Sequence, residues 1–99
     1  MNTINGSHAY TVIRVDGTEE VHMLNPSESL MLREVAAQIG AQYLDSFSLR
    51  DGRRVWVDDL GQSKGLPVNV KATALYWSIC RVGTTYQIRG DVAVLNEEF

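Results

Sequence analysis

The chain has one cysteine, Cys80, in 99 residues, which excludes an intrachain disulfide and any disulfide-stapled scaffold. Histidine is nearly as scarce. His8 and His22 both lie near the start of the chain, and with Cys80 they form no CxxC or HxxxH spacing, so no metal site is expected. No apolar run approaches the ~20 residues of a membrane span. The opening MNTINGSHAY also lacks the basic and apolar regions of a signal peptide, so a cytoplasmic location is expected. Phosphate-loop and dinucleotide fingerprints of the GxxxxGK[ST] and GxGxxG types are absent. Cys80 has no histidine near it in sequence to activate it. Asp58 and Asp59 are neighbours at a strand end, where successive side chains diverge, unlike an acid and a base that face each other. Neither catalysis nor a cofactor is expected.

What is present describes one small domain. A length of 99 residues, with 44% hydrophobic and 21% charged side chains, suits one compact core and leaves little room for an enclosed pocket. The ordered core is expected over about 9–95, between a short polar start and the acidic tail NEEF. Net charge is −3, but it is unevenly placed. Residues 1–49 carry six carboxylates against two arginines, whereas 50–89 carry seven basic side chains against three acidic ones. Such asymmetry can create a local positive field inside an acidic chain.

Hydrophobic periodicity gives the element order. AYTVIRV alternates at the strand period, and Asp16-Gly17 reads as a two-residue turn that places Arg14 opposite Glu19 on the return strand EEVHML. In NPSESLMLREVAAQIG, Asn25 is the expected cap, Pro26 the first helical residue and Glu28 the capping-box partner. Leu32, Val35, Ala36 and Ile39 then share one face, and Gly40 ends the helix. A second Asp-Gly pair, 51–52, joins AQYLDSFSL to RVWVDD, and a two-residue turn there would set Phe47 opposite Trp56. From an Asn69 cap, VKATALYWSICR predicts a helix of about three turns. Ala72, Leu75, Tyr76 and Ile79 face the core, with Thr73, Trp77 and Arg81 on a neighbouring stripe. QIRGDVAVL closes the chain as a strand. The predicted fold is α+β in the order ββαββαβ, with a mostly antiparallel sheet and two helices.

The candidate ligand-binding residues are Arg53, Arg54, Lys71, Arg81 and Arg89, with Trp77 and Tyr86 available to stack on a ring. Forked and point cations beside an aromatic surface are what recognition of a phosphorylated nucleotide needs. The net negative charge disfavours duplex DNA, because phosphate backbones bind mainly through electrostatics. Trp, Tyr and Arg are equally the residue types enriched at protein–protein hot spots.

The segment VDDLGQSKGLPVNVKATALY followed by IRGDVAV resembles a domain-of-unknown-function family of small phage, plasmid and bacterial proteins. Its pattern D-x-x-G-x-x-x-G-L-P-x-N-x-x-A-T-x-L-Y is matched by Asp58 or Asp59, Gly61, Gly65, Leu66, Pro67, Asn69, Ala72, Thr73, Leu75 and Tyr76. Its second part, I-x-G-D-x-x-V, is matched by Ile88, Gly90, Asp91 and Val94. The resemblance implies an accessory protein of a mobile element, acting in the host cytoplasm without catalysis, and brings no catalytic residues with it. The expected function is that of a binding protein that antagonises host defence by sequestering a small phosphorylated nucleotide, with a homodimer as one way to build the pocket. The alternative is a protein–protein inhibitor of a defence effector, comparable to an anti-CRISPR, that uses the acidic half or the NEEF tail. A nucleic-acid-associated regulator is a third, smaller reading.

Overall fold

The computed structural model describes residues 9–95. The polar start and the NEEF tail, including Glu97 and Glu98, lie outside the described residues. The elements run β1 (Ala9–Ile13), β2 (Glu19–Met23), α1 (Glu28–Ile39), β3 (Leu44–Ser48), β4 (Arg54–Asp58), α2 (Val70–Trp77) and β5 (Val92–Leu95). The fold is α+β in the order ββαββαβ. All five strands join one antiparallel sheet in the order β2-β1-β5-β4-β3. The last strand therefore fills the centre, between two hairpins, and β2 and β3 are the edges.

Strand alternation splits the core in two. Tyr10 and Val12 of β1 and Ala93 and Leu95 of β5 face α1, where Met31, Val35 and Ile39 cover them. Ile13, Val55, Val92 and Val94 face the other way, toward α2, where Ala72 is fully buried and Leu75, Tyr76 and Ile79 pack alongside. Each helix thus covers the centre of one side of the sheet. β5 is buried throughout, as a central strand covered on both faces must be.

Both hairpins differ from the expected register, for one reason. Ile13 pairs with Glu19 and Ser48 with Arg54, one residue from the pairing a two-residue turn would give. Arg14 N–H donates to Thr18 O, and Leu49 N–H to Arg53 O, so each loop has three residues and ends on a glycine at positive φ, Gly17 at 92° and Gly52 at 94°. Asp-Gly suits this type I turn plus left-handed residue as well as it suits a two-residue turn. Phe47 accordingly faces Val55, and Trp56 faces Ser46. Because a one-residue slip turns a side chain to the opposite face, Phe47 and Trp56 belong to different cores.

The helices also correct local expectations. Ser27 is the N-cap of α1, and Asn25 instead accepts the Ser27 N–H at 2.9 Å, bracing the turn before the helix. Gly40 ends α1 at φ 70° as expected, with its N–H on Ala37 O and that of Ala41 on Ala36 O, a Schellman closure. α2 begins at the Asn69 cap but stops at Trp77, short of three turns. Arg81 therefore lies past the helix end, and Thr73, expected on the stripe beside the core face, is buried.

Candidate functional site

The quoted motif is a structural knot. Asn69 is fully buried. Its Oδ1 accepts the Ala72 N–H at 3.0 Å, and its Nδ2 donates to Ile13 O at 2.9 Å and to Gly90 O at 3.0 Å. Three places in the chain, the end of β1, the start of α2 and the turn before β5, meet on that one amide. The Thr73 hydroxyl accepts the Ile88 N–H at 2.9 Å, Gly90 N–H donates to Pro67 O, and Val68 bridges to Arg89. Gly61 packs so close to the 88–91 segment that a side-chain Cβ would stand 3.0 Å from Arg89 O. The Asp58 carboxylate, fully inaccessible, takes the Leu60 N–H at 2.8 Å and the Lys64 ammonium at 2.6 Å. These residues hold the 58–69 connection against the start of β5.

Asp91 belongs to the same knot. Its Oδ1 accepts the Val15 N–H, and its Oδ2 binds Arg14 at 2.9 Å. Arg14 also reaches Gln38 O near the end of α1 and pairs with Glu20 rather than the expected Glu19. One guanidinium thereby joins the first hairpin, α1 and β5. Hydrogen bonds from Arg14, then from His22, hold the Glu20 carboxyl below the ordinary glutamate value of 4.5. A carboxylate stabilised in the folded state contributes above that value and loses its contribution as the pH falls. The melting temperature is therefore expected to fall below about pH 4.5, and Glu20→Gln should flatten that fall. A pH series of thermal melts on both proteins measures the difference; identical slopes would exclude the Arg14–Glu20 contact as a contributor.

The structure divides the seven predicted ligand residues. Arg53 and Lys71 line one groove. Arg54, one residue from Arg53, is paired with Leu95 on the α1 side and donates to the Ser46 hydroxyl at 3.1 Å, because alternate strand residues point to opposite faces. Arg89 turns back to Leu66 O at 2.9 Å. Trp77 and Tyr86 are neighbours: the Trp77 indole N–H donates to Tyr86 O at 2.7 Å, and the Tyr86 ring meets Tyr76 edge-on at 5.8 Å. Both are substantially exposed, at 42% and 52%. Arg81 is exposed in the loop between them. None of these three lines the groove.

The groove, of about 500 Å³, lies on the α2 side of the sheet, between α2 and the first hairpin. Its floor is Ala9, Thr11 and Ile13 of β1, Val21 of β2 and Val94 of β5, and its wall is Ala74 and Leu75. The rim is charged. Lys71 Nζ donates to Gly17 O at 2.7 Å and pairs with Glu19 at 3.0 Å, while Arg53 Nε binds Asp51 at 2.9 Å. Such exposed pairs contribute little to stability. Sequence reading found the cations but missed the floor. The available signal was the alternation Glu19, Val21, Met23, which sets two apolar side chains on the outer strand.

Among the described residues no group of His, Cys, Asp and Glu could hold a metal ion, and no helix is long and apolar enough to cross a membrane. No family model, curated protein or solved structure matches this chain.

Proposed function

We propose that this chain is a non-enzymatic binding protein whose groove beside α2 sequesters a small phosphorylated ligand, a nucleotide signal being the leading class. The observation that carries the reading is the placement of Lys71 and Arg53, far apart in sequence, on the rim of one groove with an aliphatic floor. Cations at the rim suit a phosphate, and the floor suits an apolar body, the usual division of labour in a ligand pocket. The groove's volume falls within the ordinary range of small-molecule sites. Trp77 and Tyr86 lie outside it, so a nucleobase would rest on aliphatic side chains rather than stack on a ring. With the mobile-element resemblance, the biological role proposed is antagonism of host defence in the host cytoplasm.

A thermal-shift titration against cyclic and linear nucleotides tests this. At ~100 times the dissociation constant a ligand adds about 2.7 kcal/mol, which moves the melting point of a domain this size by more than about 10 °C. Lys71→Ala and Arg53→Ala should abolish the shift, and Arg54→Ala, on the opposite face, should leave it. No shift with any nucleotide would reject the reading.

A second reading is inhibition of a host protein, favoured by the exposed cluster of Trp77, Tyr86 and Arg81. Those residue types dominate protein–protein hot spots. Trp77→Ala should then abolish inhibition of a defence effector, while Lys71→Ala leaves it intact.

A further inference from the structure

We propose that the β2 edge is a self-association surface, on which a second copy of this chain pairs antiparallel about a two-fold axis through Val21, extending the sheet across the dimer. Among the described residues no strand pairs with the outer side of β2. Arg14 N–H donates to Thr18 O, so by alternation Thr18, Glu20 and His22 turn their backbone groups toward β1. Glu19, Val21 and Met23 turn theirs outward. The same three side chains lie on the α2 side of the sheet, where Val21 is 73% and Met23 66% exposed. This strand has no Lys, Pro or bulge, three of the devices by which sheet edges resist pairing, and its charges, Glu19 and Glu20, are confined to one end.

Charge and strand length select the register. Centring the axis on Glu20 would oppose Glu20 to its own copy, and centring it on His22 would pair only positions 21–23 of the strand. An axis through Val21 places Glu20 across from His22 of the second copy and Glu19 across from Met23. It also brings the outward backbone groups of positions 19, 21 and 23 into facing pairs, about six hydrogen bonds in all. Val21 then meets its own copy, and the floor that Val21 gives each groove becomes continuous between the two chains. Closed two-fold pairing of this kind is the commonest oligomeric arrangement. The inference does not require the nucleotide reading, since it concerns assembly without ligand.

Sedimentation equilibrium of the full chain across the micromolar range, with Val21→Lys as the comparison, tests the proposal. The wild type is expected to reach twice the chain mass, and Val21→Lys to stay at the single-chain mass with an unchanged far-ultraviolet circular dichroism spectrum, since position 21 is exposed, and with a melt that no longer depends on protein concentration. In a Cys80→Ser background, Val21→Cys should oxidise to a covalent dimer much faster than Glu20→Cys, because only position 21 faces its own copy. A wild type that stays at the single-chain mass overturns the proposal. So does a dimer that survives Val21→Lys, or one that cross-links no faster through 21 than through 20.

Discussion

Asn69→Ala is expected to lower the stability of the fold by about 2 to 3 kcal/mol, and its melting temperature by more than about 10 °C. The substitution removes the N-cap of α2, a loss of about 1 kcal/mol. It also takes the side-chain donor from Ile13 O and Gly90 O inside the core, where each lost bond costs about 1 kcal/mol. Asn69→Asp separates the two effects: a carboxylate keeps the cap acceptor but sets a charge against two carbonyl oxygens in a fully buried position. Burying an unpaired charge is costlier than burying a neutral amide, so the aspartate variant should be at least as unstable as the alanine variant. Thermal or urea melts of the three proteins decide. An alanine variant that melts with the wild type would show that the amide does not knit the three segments together.

Gly90→Ala is expected to cost about 2 to 4 kcal/mol. Gly90 sits at φ 87°, and an added Cβ would lie 2.8 Å from Leu66 Cδ1. The backbone conformation alone costs an L-residue about 1 to 2 kcal/mol, and forcing atoms into a packed site adds about 1 to 3. Leu66 can yield at the end of its side chain; the strained backbone cannot, because Gly90 N–H and C=O are held by Pro67 and Asn69. Gly52→Ala is the control. It has a similar φ of 94° with nothing within 4 Å, so it should lose only the backbone contribution. Equal losses at 52 and 90 would remove Leu66 from the account, and combining Gly90→Ala with Leu66→Ala should then be additive.

These two positions show how the resemblance and the structure meet. Asn69, Gly90, Gly61, Thr73 and Asp91 form the most specific part of the motif, and each has a packing or hydrogen-bonding task in the structure. The candidate groove draws only Leu75 and Val94 from the motif. A ligand of the groove proposed above would therefore be selected largely by Lys71, Arg53, Glu19 and Val21, residues outside the motif.

The element order and the sense of the sheet were legible in the sequence, because periods of two and 3.6 residues and the punctuation at Gly40 and Asn69 are local physics. So was the core face of α2 through Ala72, Leu75 and Tyr76, with Ile79 packing on the same side just past the helix end. Hairpin register was not, since Asp-Gly permits both a two-residue and a three-residue loop, and only packing of the strands against α1 and α2 chooses between them. The same choice of parity sends Arg54 to one face and leaves Arg53 with the groove. Convergence of Arg53 with Lys71 depends on β5 entering between the two hairpins, a pairing between distant segments that no local pattern encodes. Sequence alone determined which groups this protein can offer a ligand. Tertiary structure decided which of them stand together, because side-chain direction follows strand register and strand register is settled by burial on both faces of the sheet.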